Sequence, residues 1–442
     1  MESIILENVR SFRGSHEASL APLTFLVGEN SSGKSTLLAL ARVAWDVAFS
    51  HSIPEFNEDP FMLGSYNDIA HYHGGRGKRA TSFSVGLTKR QRGRKISSAD
   101  LVGSFESAAG QPALAKIKIS GGGMSISASK DGSKMRFVIC APGKQQEISV
   151  ERDPSFEFMN GRRLLFMFQD LLYAEVVEGR VPVLMGFTDN PIHLNLTREE
   201  AKNLGDLIAV LRRPSPMARP IATAPVRTRP RRTYDPLKEI RSAEGDHVPM
   251  LLARLSAAEP ETWRNLAEEL SSFGRYSGLF DLVQVKRWHK GDESSPFQIK
   301  VKMANQRREE NLVDVGYGVS QVLPILVDSL VARPGTQFLM QQPEVHLHPR
   351  AQAQLGTFLA RMATQKKRFL VETHSDYLID RVRMLVRRGE LRPARVKLLY
   401  FDNSEGQTSM YPIKLDGEGN LVKPPDGYRQ FFLDEELAFL TE

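Results

Sequence analysis

Apolar positions along the chain fall into two regimes. Residues 3–9 and 17–20 alternate as strands do, and 23–27 (LTFLV) is a short continuous apolar run of strand type. Residues 35–49 (STLLALARVAWDVAF) then carry apolar side chains at helical spacing. Between 81 and 152 the period becomes two. Strands are predicted at 81–87, 115–120, 124–128, 134–140 and 147–150, separated by Gly, Ser and Asp turns. Helices are predicted at 156–178, 197–211 and 261–273, and strands at 280–288 and 297–303 around a polar hairpin. From 319 onward helix and strand alternate again: helices at 319–332, 349–365 and 376–388, strands at 336–341, 368–373 and 394–401. Two segments interrupt the pattern. Residues 50–78 are loop-like. Residues 212–236 hold six prolines and seven arginines with no acid before Asp235, which excludes a regular helix or a central strand.

An α/β block at each end predicts a single parallel sheet built from both, so the fold class expected is α/β with a long mixed α+β insertion. The divisions expected are 1–90, an insertion at 91–280 that includes the Pro/Arg-rich stretch, and 281–442. Composition, 41% hydrophobic and 25% charged, is that of a folded globular chain. No apolar run approaches the ~20 residues that span a bilayer, so no membrane is expected as a partner. The start, MESIILENVRSF, lacks a signal-peptide apolar region. Cys140 is the single cysteine, which rules out an internal disulfide and points to a reducing, cytoplasmic setting. Net charge is +7, which suits contact with a polyanion and equally suits solubility.

Residues 28–36 read GENSSGKST, a complete G-x4-G-K-[ST] loop between a predicted strand and a predicted helix. Such a loop wraps nucleotide phosphates with backbone N–H groups. The residues expected around the nucleotide are Gly28, Asn30, Ser31, Ser32, Gly33, Lys34, Ser35 and Thr36. Lys34 would reach the β- and γ-phosphates, and the Ser35 hydroxyl would bind Mg²⁺.

Three later segments follow in order: DVGYGVSQ at 314–321, QFLMQQPEVHLHP at 337–349, and RFLVETHS at 368–375. With the loop, this set resembles the ABC-type ATPases. The match is nearest the soluble branch holding the SMC and RecF-like proteins and the overcoming-lysogenisation-defect (OLD) group. The resemblance covers about 1–45 and 310–402. QPEVHLHP and ETHSDYLI carry the likeness to the OLD group, with weaker echoes at 63–72 (LGSYNDIAHY), 235–252 and 419–432. It implies an ABC-type P-loop ATPase domain split by the insertion. Each ATP would be sandwiched between the loop of one subunit and a signature segment, 315–319, of another. Gly316, Gly318 and Ser320 are the expected signature residues, with Gly316 standing where the family has serine. His374 matches the family's switch histidine, which contacts the γ-phosphate.

The strand end at 341–342 departs from the family. Where an Asp would hold Mg²⁺ and a Glu would activate water, this chain has Gln341 and Gln342. An amide accepts no proton and carries no charge. Glu344 matches a second acid found in OLD-like relatives. Either Glu344 is the working base, or hydrolysis is slow and ATP serves mainly as a structural ligand. His346 and His348 lack a third zinc ligand at convincing spacing, and the resemblance puts them in a loop at the dimer interface.

OLD nucleases also carry a Toprim domain with clustered acids. None follows His374, so this chain is not expected to cut nucleic acid itself. The resemblance then implies a subunit whose ATP-dependent self-association controls a neighbouring effector, such as a nuclease, in antiphage systems of the PARIS or Septu kind. The alternative is a RecF/SMC-like ATPase that clamps duplex DNA through the basic runs at 89–95 and 212–232, runs that also read as solvated loops. A kinase or GTPase fits less well, because the ordered segments are present and no NKxD motif is.

Overall fold

The computed structural model describes all residues except 51, 76–77, 91–95, 132–133, 152–182, 185–191, 194–195, 213–217, 236–238, 290–293, 304–305, 404–405, 426 and 429–442. The helix expected at 156–178 and most of the basic run at 89–95 lie outside the described residues. The chain divides into two compact units. One comprises Met1–Leu20, Glu29–Arg219 and Phe401–Met410; the other comprises Ala21–Gly28, Pro220–Tyr400 and Tyr411–Glu442. No helix among the described residues is long and apolar enough to cross a membrane.

The first unit is built on an antiparallel sheet. Its order is Lys144–Glu151, Lys134–Ala141, Met124–Asp131, Gln111–Gly121, Ser98–Ala108, Phe83–Arg90, Ser3–Val9 and Phe12–Ser19. Lys134–Ala141 (KMRFVICA) shows why: Met135, Phe137, Ile139 and Ala141 point inward while the residues between face outward. The helix Lys34–Phe49 packs on this sheet and is buried on all sides apart from Ser35. Its approach is close at Gly103, where a Cβ would lie 2.9 Å from Val47. Phe56, Phe83 and Phe105 form an aromatic cluster in the same core. The boundary expected at 90/91 falls inside this sheet, because Phe83–Arg90 pairs with Ser98–Ala108. The first strand likewise pairs with Phe83–Arg90 and not with the parallel sheet.

The second unit centres on the sheet Ile221–Thr223, Gln337–Gln341, Arg368–Glu372, Leu23–Gly28, Val396–Asp402, Ser409–Leu415 and Leu421–Val422. Its first four strands run parallel. Central strands such as QFLMQ and RFLVE are buried on both faces, as their near-continuous apolar runs require. The helices Tyr317–Val331, Pro349–Thr364, Asp376–Arg387 and Pro260–Ser277 contribute to one large core with these strands. Ile221–Thr223 lies within the segment expected as insertion and linker, yet it forms the edge of this sheet. Pro220 and Pro225 flank it, and an edge strand tolerates them.

Arg219 closes the first unit's portion of the Pro/Arg-rich stretch. Its guanidinium donates to both oxygens of the nearly buried Asp46 (2.9 and 2.8 Å) and to Glu58 Oε1 (2.8 Å). Replacing Arg219 with Met leaves the Asp46 carboxylate buried and unpaired. The expected cost is about 1–3 kcal/mol of unfolding free energy, read as a lower denaturation midpoint at unchanged m-value.

Candidate nucleotide site

The strand Leu23–Gly28 leads directly into the G-x4-G-K-[ST] loop, and the helix Lys34–Phe49 follows it. Ser31 and Gly33 are both left-handed, with φ of 61° and 100°. At Gly33 glycine is required twice over, since a Cβ would also meet the Phe12 ring at 2.9 Å. Gly33 caps the helix without a side-chain hydrogen bond, and no acid occupies the first turn. The loop is braced from behind: Thr408 Oγ1 donates to the Ser32 carbonyl (3.0 Å) and lies 2.6 Å from Ser11 Oγ. Lys34 Nζ curls over the loop and donates to the Glu29 carbonyl at 2.5 Å. The buried Ser32 hydroxyl has no hydrogen-bond partner. A left-handed glycine loop at an uncapped helix start, with an orphaned hydroxyl and a folded-back lysine, fits a phosphate chain. Ser35 is exposed beside it.

In the second unit the strand Gln337–Gln341 ends at a tight loop. Gln342 has φ 40°, and its N–H donates to the Glu372 carbonyl at 2.8 Å. Glu344 turns inward and is 6% exposed. Its Oε1 accepts the His374 backbone N–H at 2.8 Å, so the two residues meet at the ends of neighbouring strands. Burial pushes the Glu344 carboxyl above the ordinary carboxylate range, opposed by the His374 N–H. A carboxylate raised in this way is suited to accepting a proton. The His374 side chain is exposed.

The residues expected as the signature sit at the start of the helix Tyr317–Val331. Gly316 is exposed and is the N-cap without a side-chain cap. Gly318 lets the helix approach the 342–348 loop, since a Cβ there would be 2.8 Å from the His346 carbonyl. The Tyr317 ring stands edge-on to His346, with centroids 4.9 Å apart. Ser320 is buried, and its hydroxyl donates back to the Tyr317 carbonyl, so it is not presented at the helix start. His348 caps the helix Pro349–Thr364 through Nδ1.

Residues 254–380 match the family model described as "AAA domain, putative AbiEii toxin, Type IV TA system". No curated protein matches the chain in sequence. Among solved structures the chain is similar to an SMC head bound to the C-winged helix domain of ScpA, at 12% identity and TM-score 0.47, over 94% of this chain and 98% of that one. It is also similar to the SMC head domain from Thermotoga maritima, at 12% identity and TM-score 0.36, over 94% and 99%. Likeness at that level says nothing of activity or partners. The loop, the parallel sheet and the family match decide the class. This is a P-loop ATPase fold.

Some residues packed beside the expected site segments were not legible as such in the sequence. Arg10 has φ 47°, and its guanidinium donates to Thr36 Oγ1 (3.2 Å) and to the Leu63 carbonyl (3.0 Å). That ties the segment containing LGSYNDIAHY to the loop's helix. The one sequence signal was the charged turn NVRSFRG after the first strand. Glu372 pairs in register with Gln341, so both side chains project from the same face of the sheet. It is a buried carboxylate next to the place where the family's acid is missing. The basic residues also differ from expectation. Lys89 is buried, and burial brings its amine down to about 8. Arg219 and Arg232 are paired with carboxylates, and Arg227 is fully buried.

Proposed function

We propose that this chain is an ATP-binding and ATP-hydrolysing subunit of ABC type whose ATP-dependent association with a second copy controls a partner effector, with antiphage defence as its setting and the cytoplasm as its location. The observation that carries the reading is a loop fitted to phosphates in the first unit; within the second, Glu344 turns inward with its Oε1 on the His374 N–H. Backbone N–H groups of 30–36 and Lys34 would hold the phosphates. Mg²⁺, when bound, supplies charge for the phosphate oxygens. Ser35 would hold it, and Gln341, at the family's second metal position, brings no charge. Glu344 would take the proton of the attacking water, while Gln342 stands in the family's base position and only shapes the turn. His374 would sense the γ-phosphate. Gly316 and Gly318 would face the partner copy's ATP.

Gly316 provides a clean test, because nothing lies within 4 Å of a Cβ built there. Gly316→Glu is expected to leave stability within about 0.5 kcal/mol of the parent. It is expected to abolish ATP-dependent dimerisation measured by light scattering, because a carboxylate would face phosphates. Dimerisation at the parental ATP concentration would remove the signature assignment. The effector step is tested separately. A product of an adjacent gene should co-purify with the chain, and the pair should protect cells from phage; absence of both removes that step.

DNA clamping by a RecF/SMC-like ATPase is the second reading. It draws less support, since three of the arginines expected to meet phosphates are paired or buried. DNA-stimulated turnover lost on neutralising the exposed Arg229 and Arg231 would favour it.

A further inference from the structure

Arg227 follows the edge strand Ile221–Thr223 and is 1% exposed. Its Nε and Nη1 have no hydrogen-bond partner, and Nη2 reaches the Gln342 carbonyl only at 3.5 Å. Its main chain, by contrast, is firmly seated. The Arg227 N–H donates to Gln321 Oε1 at 3.0 Å, and Gln321 Nε2 donates back to the Arg227 carbonyl at 3.2 Å. Gln321 is wholly buried on the helix Tyr317–Val331, two positions after the expected signature segment 315–319. On its other side, Arg227 acts electrostatically on Glu344, whose Oε2 is also buried without a partner. One residue therefore links the two elements: its main chain is held by the helix Tyr317–Val331, and its side chain reaches the loop that carries Glu344.

A buried guanidinium this poorly satisfied is a burden on stability. Its unpaired Nε and Nη1 carry a desolvation cost that the 3.5 Å contact to the Gln342 carbonyl and the attraction of Glu344 offset only in part. Departures of this kind concentrate where function requires them.

We propose that Arg227 is a positioning residue that couples the signature helix to Glu344. When a second copy engages the signature segment, Gln321 carries the shift to Arg227. The guanidinium then sets the Gln342 carbonyl and the Glu344 carboxylate in their working geometry. The proposal rests on the reading of Glu344 as the base.

The test uses the full chain with ATP and Mg²⁺. Arg227→Met is expected to keep the ATP Kd within about twofold, while kcat falls about tenfold or more. Arg227→Lys, which restores charge without the fork, is expected to recover about threefold of that loss. A Met variant with wild-type kcat overturns the proposal, as does a Kd that weakens in proportion to kcat. If the Met variant does not fold, Gln321→Met reads the same link by removing both seating hydrogen bonds. It should lower kcat about threefold at unchanged Kd, and an unchanged kcat overturns the coupling. Glu344→Gln assayed in parallel separates the two ideas. If it retains turnover, the base assignment fails. If it loses turnover while Arg227→Met keeps it, only the coupling fails.

Discussion

Lys34→Ala is expected to weaken ATP binding by about 10²–10⁴-fold, because it removes two charge-assisted hydrogen bonds to phosphate, each contributing about 1.5–3 kcal/mol. The side chain is 2% exposed and folds along its own loop, with Nζ on the Glu29 carbonyl. On binding it would exchange that carbonyl for phosphate oxygens without leaving the loop, so little ordering would be required. The fold should survive, because the helix Lys34–Phe49 is anchored by its apolar side chains and not by the amine. Calorimetric titration with ATP and Mg²⁺ gives the number. A Kd within about threefold of wild type would mean that the loop does not hold the phosphates. The same variant should fail to dimerise with ATP.

Glu344→Gln should reduce steady-state turnover by about 10²–10⁴-fold while leaving ATP affinity intact, the range for loss of a general base. The substitution is isosteric, and an amide oxygen can still accept the His374 N–H that Oε1 accepts now. What disappears is the ability to take a proton. Association driven by ATP should therefore persist and lengthen, since the bound nucleotide is no longer consumed. If ATP is mainly a structural ligand, wild-type turnover is already slow and the substitution changes little.

The parallel core was legible because its strands are short apolar runs and its helices have clear periods. The runs at 336–341 and 368–373 correspond to Gln337–Gln341 and Arg368–Glu372. The loop was legible because its residues are fixed by chemistry. The antiparallel sheet was only half visible. Ser98–Ala108 (SADLVGSFESA) was missed because its Gly and Ser residues read as loop. Gly103 is there for the close approach of Val47, which only the fold reveals. The helix Val248–Ala258 was hidden behind its proline, which sits harmlessly in the first turn. Ile221–Thr223 is too short and too proline-flanked to read as a strand. Arg227 shows the limit most sharply. In sequence it is one of seven arginines in a basic stretch, and burial depends on Gln321, ninety-four positions away. Lys89 was misread in the same way, since a lysine's burial is set by its distant neighbours.

The most direct measurement is phosphate release by wild type and Glu344→Gln, with ATP binding determined on the same two preparations. The expected result is matched ATP affinity, steady release by wild type, and release at least about a hundredfold slower in the variant. Equal release from both proteins would contradict the assignment of Glu344 as the base, and with it the account of how this ATPase spends its nucleotide.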